Sequence, residues 1–345
     1  MDRPTETALG GVFLAGIAFV ALVVPVTTLL QVADSFAFVA LAAIGLAVIF
    51  GMMGVINLAH GEFIMMGAYA TTIAVIEYGM PYVVAIAFGV FVTAVFGAIV
   101  ERTIISGWLP NLLWGWALSV LPEAAVSKLP ERIIEPLYGR LLDSMVATFG
   151  LGLILTQGTR IVYGNSLSDT IGTPFGAVPG YTYSAYKVVL AAVALGVLLA
   201  AYLVFTRTGF GTRARATIQD AETARAMGVD TDRMYTSTFA IGSGLAGLTG
   251  ALYAPTESMA PGMGEAYLVE SFVAVVIGGS SVLTGTLLSG GLLGSIRGVV
   301  ATDFGVFIAR MALLITAILV IRILPDGLSG LVDTVRDRLA GDGNE

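Results

Sequence analysis

The chain has no cysteine and a single histidine, His60. Without thiols there is no disulfide, thiolate metal site or thiol nucleophile, and one imidazole is too few for a conventional zinc or haem centre. Charge is scarce too: only 12% of the 345 residues are Asp, Glu, Lys or Arg, and the formal net charge is −7. No phosphate-cradling loop of the GxxxxGK[ST] type occurs, so any coupled ATP hydrolysis must take place in another chain. No visible pairing of a nucleophile with a base suggests catalysis. We expect no cofactor, metal or nucleic-acid partner, and no enzymatic activity.

What is abundant is apolar surface. Hydrophobic residues make up 57% of the chain and the mean hydropathy is +0.90, more than a soluble globule of this length could bury. The expected fold is an all-α polytopic membrane protein, one domain over 1–345, with about eight to ten membrane-entering helices. Full spans are expected at 8–30, 82–103, 144–163, 186–205, 236–255 and 304–323, the first as a retained helix and not a cleaved signal. Four shorter apolar runs, 36–50 with 61–77 and 269–283 with 287–302, form two pairs, each joined by a glycine-rich break. The breaks are 51–61 and 278–285. Interrupted segments in corresponding positions of two halves point to an internal repeat and to a transporter's pathway. Two ordinary helical hairpins with glycine-rich turns are the plainer alternative.

Arg207, Arg213, Arg215, Arg225 and Arg233 crowd the loop at 206–235, whereas loops 164–185 and 256–268 hold no Lys or Arg. The arginine-rich loop is therefore expected in the cytoplasm, with both termini on the same side. Residues 106–135 hold all three tryptophans, Trp108, Trp114 and Trp116. Tryptophan prefers the headgroup level, so this stretch is expected to be an interfacial insertion or a re-entrant segment.

Asn57, His60 and Glu62 form the most polar cluster at membrane depth, and together with Ser280 and Ser281 in the second break they are the candidate pathway residues. Asn57 and His60 could instead satisfy backbone groups where a helix ends, with Glu62 facing the positive end of the next helix. Arg160, Arg297 and Arg310 lie on apolar segments and must face protein, water or headgroups. Glu257, Glu265 and Glu270 gather near an outer loop, where they could meet a basic patch on a delivery protein or be solvated charges. In the cytoplasmic loop, Asp220 looks like an N-cap and Gly228 a stop, bracketing a short helix. Ala221, Ala224 and Met227 would share one face of it, with Glu222 and Arg225 on another, a pattern suited to docking into a partner's groove.

These two segments carry a resemblance. Gly54-Val55-Ile56-Asn57-Leu58-Ala59-His60-Gly61-Glu62-Phe63-Ile64-Met65-Met66-Gly67-Ala68-Tyr69 is similar to the hallmark run of the permeases of branched-chain amino acid and urea ABC importers. The stretch from Phe210-Gly211 through Gln219-Asp220-Ala221-Glu222 to Ala226-Met227-Gly228-Val229 resembles their cytoplasmic coupling loop. The resemblance implies an ATPase subunit docking on 220–227, an extracytoplasmic substrate-binding protein, and a second permease subunit, all at the cell membrane. Leu137-Tyr138-Gly139-Arg140-Leu141-Leu142-Asp143-Ser144 and Ser258-Met259-Ala260-Pro261-Gly262-Met263-Gly264 look closer to the urea branch. Urea is thus the first expected substrate, with branched-chain amino acids or short amides next and a passive solute channel last.

Overall fold

The structure, a computed structural model, describes residues 25–107, 112, 136–138, 140–167, 171–179, 183–279, 282–325 and 327–330. Among these the chain is helical, with no strand beyond a single bridge between Ala177 and Ser184. The helices are α1 (Val26–Met53), α2 (His60–Ile76), α3 (Tyr82–Val100), α4 (Leu141–Tyr163), α5 (Ala185–Arg207), α6 (Gly209–Gln219), α7 (Ala221–Ala226), α8 (Thr231–Tyr253), α9 (Met263–Gly278) and α10 (Val282–Ile323). A π-turn, Glu101–Ile105, continues α3. Among the described residues, five helical stretches are long and apolar enough to cross a membrane: Val26–Met53, Tyr82–Ile105, Leu141–Tyr163, Ala185–Arg207 and Thr284–Ile323. The expected all-α polytopic class is thereby met.

Helix α1 is the central strut: every residue from Ala37 to Ile49 is buried. It corrects one boundary. A span ending at residue 30 and a short helix beginning at 36 were expected, yet Val26–Met53 is one unbroken helix of 28 residues. The polar residues Asp34 and Ser35 suggested a break in sequence. In the fold Asp34 is neutralised by Lys187 Nζ at 3.0 Å, and no glycine or proline lies there to interrupt the ladder. Residues 8–24 of the expected first span, and 108–111 and 113–135 of the tryptophan-rich stretch, lie outside the described residues.

The second pair is present with shifted bounds: the expected segment 269–283 is the helix Met263–Gly278, which begins earlier and stops at the glycine-rich break. Helix α9 has 16 residues, and within α10 Gly305 takes φ 81°, ψ 168°, a backbone open essentially to glycine alone. Arg297 and Arg310 show what this does. Thirteen residues of straight helix would separate them by about 20 Å, yet both guanidinium groups lie 3.6 Å from the carboxylate of Glu270 on α9. The chain folds back at Gly305, matching the expected segments 287–302 and 304–323.

Close backbone approach holds the bundle together. On α10, Gly290, Gly294 and Gly298 recur every fourth residue and meet Ala40, Phe36 and Val32 of α1. On α8, Gly242 meets Gly45 and Ile49 of α1, Gly247 meets Thr93 of α3, and Gly250 meets Ile64 of α2. In a solvent as apolar as the side chains, small residues that bring helices into contact replace the hydrophobic drive. The large side chains turn outward instead. Phe88, Phe91 and Val95 of α3, Leu142, Val146 and Ile154 of α4, and Phe307, Met311 and Ile318 of α10 are all exposed, as a lipid-facing surface requires.

Candidate functional site

Helix α1 stops at Gly54, which adopts the left-handed conformation (φ 60°, ψ 26°) and returns its N–H to Phe50 O at 3.0 Å. The chain then runs without regular structure to Ala59 and starts α2 at His60, inside the bundle: His60 Nε2 is 2.9 Å from Ala42 O, more than two turns back along α1. Non-helical backbone at such depth is tolerated only where protein groups satisfy it. Helix α4 supplies them. Leu58 N–H donates to Thr148 Oγ1 at 2.9 Å, Ile56 N–H points at Ser144 Oγ at 3.4 Å, and Thr148 Oγ1 lies 3.2 Å from Ile56 O. Gly152 and Thr156 extend the same face: the Gly152 position adjoins Glu62 Oε2, and Thr156 Oγ1 is 3.5 Å from Glu62 Oε1. Ser144, Thr148, Gly152 and Thr156 are spaced by four and line one side of α4. Sequence reading missed this stripe. Its signal was present, as small and polar residues at helical spacing in an otherwise apolar segment.

The three polar residues of the first break therefore have distinct places. Asn57 is fully buried and its Oδ1 accepts the Ala59 N–H at 3.0 Å, a local turn that helps start α2. His60 is fully buried and donates from Nε2 to the Ala42 carbonyl, leaving Nδ1 with no partner among the described residues. Asn57 thus holds backbone at the break itself, whereas His60 reaches a carbonyl in the middle of α1 and not at its end. Glu62 sits in the first turn of α2, where the positive end of the helix favours a carboxylate. Its Oε2 has no hydrogen-bond partner among the described residues. Ser280 and Ser281 lie outside the described residues. Flanking them, Gly278 and Gly285 touch backbone to backbone, so the second break is as tight as the first.

At the end of the bundle opposite the arginine-rich loop, the charges pair off. Glu270, 3% exposed, is shared by Arg297 and Arg310, and the Arg297 guanidinium lies 4.3 Å from the Phe38 ring centroid. Phe38 in turn stacks on Tyr267 and meets Tyr253 edge-on. Glu270 is thus no loop charge awaiting a delivery protein, since it is buried and neutralised inside the fold. Glu257 and Glu265 are exposed. Arg160 reaches the surface in the last turn of α4, 3.4 Å from Gln157 Oε1.

In the arginine-rich loop, α6 and α7 form an elbow. Asp220 caps α7, accepting the Glu222 and Thr223 N–H groups, each at 3.0 Å, and these bonds with that from the Thr223 hydroxyl hold its carboxyl below the ordinary 3.8. Gly228 closes the turn with φ 86°. The expected common face of Ala221, Ala224 and Met227 divides: Ala224 packs inward, whereas Met227 is 81% exposed. Glu222 is exposed, and Arg225 is engaged within the chain, at 2.7 Å from Thr231 Oγ1 and 3.2 Å from Asp232 Oδ1.

An all-helical, polytopic membrane protein whose broken helices are secured by side chains deep inside the bundle is the class that fold and site define. The family model described as "Branched-chain amino acid transport system / permease component" matches residues 28–324, and the chain belongs to that family. Among its relatives, the high-affinity branched-chain amino acid transport system permease protein BraD of Pseudomonas aeruginosa is 27% identical over 308 residues, covering 84% of this chain and 91% of BraD. The permease protein LivH of Escherichia coli K12, of the same description, is 27% identical over 310 residues, 84% of this chain and 91% of LivH. The probable branched-chain amino acid transport permease protein LivH of Methanocaldococcus jannaschii is 26% identical over 201 residues, 54% of this chain and 64% of its own length. Membership makes the chain a multi-pass membrane permease component and not itself an enzyme. All three relatives are named for branched-chain amino acids and none for urea, so the expected preference for urea finds no support.

Proposed function

We propose that this chain is the membrane-spanning permease of an ATP-binding cassette importer for branched-chain amino acids. The observation that carries the proposal is the family match over residues 28–324, to which the broken segment 54–59 adds a plausible moving part at membrane depth. In this reading a separate ATPase docks on the elbow of α6 and α7, a second permease subunit completes the pathway, and an extracytoplasmic binding protein delivers the amino acid. The arginine-rich loop faces the cytoplasm. The exposed Met227 and Glu222 are the contacts offered to the ATPase, with the Asp220 cap fixing their helix. Alternating access then follows from the ATPase favouring one of two arrangements of the helices.

Uptake of labelled leucine and of labelled urea, in cells with and without the gene, tests the substrate. Loss of leucine uptake alone is expected; loss of urea uptake alone would return the substrate to urea. Uptake that persists after ATP depletion would refute the pump and indicate a channel. For docking, Met227→Asp with Glu222→Lys should reduce recovery of the ATPase with the tagged permease while its thermal midpoint stays unchanged.

A further inference from the structure

A buried carboxylate at the arginine-rich end joins elements that the proposed function requires to move together. Glu101 opens the π-turn that ends α3 and is fully buried. Its two oxygens are engaged on different sides. Oε2 accepts the hydroxyl of Thr236, in the second turn of α8, at 2.6 Å, and Oε1 accepts the hydroxyl of Tyr138, on the approach to α4. The Tyr138 ring also stacks on Tyr235 of α8, centroids 4.0 Å apart and planes 19° from parallel. Leu137 N–H donates to Ile105 O at 2.8 Å, closing the joint on its remaining side.

Each arm leads somewhere. Along α8, one turn back from Tyr235, Thr231 and Asp232 hold Arg225 of the elbow helix α7. Along the other arm, Arg140 N–H donates to Leu137 O at 3.1 Å and Arg140 O accepts the Ser144 N–H at 3.0 Å, and Ser144 with Thr148 is the pair that supports the irregular backbone at Ile56 and Leu58. A continuous series of bonded groups therefore runs from α7 to the break between α1 and α2, and Glu101 is its junction. A π-turn at the junction fits this role, because such turns recur at functional positions in helices.

We propose that Glu101 is a positioning residue that couples movement of the α7 elbow to the broken helix pair, acting through Thr236 on one side and Tyr138 on the other. The inference rests on the importer reading. It assigns Glu101 no contact with substrate. Glu101→Gln keeps the volume but turns one acceptor into a donor, so one of the two hydroxyls loses its acceptor.

The test uses the whole importer, purified through a tag on this chain and reconstituted in vesicles, with leucine uptake and ATP hydrolysis measured together. The expected result for Glu101→Gln is retained hydrolysis with about a tenfold fall in leucine moved per ATP, within the usual range of coupling between linked sites. Thr236→Val should reproduce that fall and Thr236→Ser, which keeps the hydroxyl, should restore the ratio. An unchanged ratio in Glu101→Gln and Thr236→Val overturns the proposal, as does a proportionate loss of uptake and hydrolysis, the mark of a merely structural residue. Should Glu101→Gln fail to assemble, Tyr138→Phe and Thr236→Val decide by the same ratio. Wild-type vesicles that show no ATP-dependent leucine uptake would refute the importer reading itself and this inference with it, a result separable from any variant's.

Discussion

Substituting Gly61 by alanine probes the closest meeting of the two broken helix pairs. Gly61 lies in the first turn of α2 and Gly264 in the first turn of α9, and neither leaves room for a side chain. A methyl on Gly61 would fall 2.0 Å from the Gly264 carbonyl oxygen and 2.6 Å from its carbon, and one on Gly264 would fall 2.5 Å from Gly61 O. The obstructing atoms are backbone, so no rotamer change relieves the clash. The helices must part by about an ångström, and overpacking of a tight contact typically costs about 1–3 kcal/mol. A fall of several degrees in the thermal midpoint of the purified protein is expected, since each kcal/mol moves the midpoint of a chain of moderate size by about 2–4 °C. Gly150→Ala on α4 is the control, because nothing lies within 4 Å of the methyl it would add. Equal midpoints for the two variants would refute the reasoning that backbone approach at Gly61 holds the pairs together.

Three further outcomes are expected. Thr148→Val leaves the Leu58 N–H without its acceptor at a buried site, a loss of about 1–3 kcal/mol that should lower the thermal midpoint and that Thr148→Ser should reverse. Glu270→Ala strands two arginines on a nearly buried site; removing one partner of a buried ion pair costs about 3–5 kcal/mol, so folded protein recovered from membranes should drop well below that of an exposed control, Glu265→Ala. The Asp220 carboxyl is held low by its bonds to Thr223 and Glu222, so its contribution to capping α7 is complete above the ordinary carboxylate value and is lost as pH falls through the depressed one. Amide-exchange protection at Glu222 and Thr223, corrected for intrinsic rates, should decline in that acid window, and Asp220→Asn should remove the pH dependence.

Much of the architecture was legible in the residue string. The membrane class, the short helix expected at 61–77, the cap and stop around α7 and the division of α10 all follow from local rules: apolar length, glycine, and side chains that cap their own backbone. The continuity of α1 was not legible, because Asp34 becomes acceptable inside a helix only when Lys187, 153 positions away, neutralises it. The partner of Arg297 and Arg310 was hidden for the same reason, as was the role of the stripe from Ser144 to Thr156 on α4. The urea preference lacks support for a different reason: it rested on short loop runs, whereas the family match spans residues 28–324.

Composition by itself determined the solvent in which this protein folds, since a chain so apolar and so poor in charge cannot hide its surface from water. The two glycine-rich breaks determined where helices would stop. Only the tertiary structure decided what those breaks rest on. Hydrogen bonds between residues 88 to 135 positions apart, such as Ser144 with Ile56 and Thr236 with Glu101, depend on how helices are placed side by side. No local propensity encodes that placement, because in a membrane it is set by which small residues let two backbones touch.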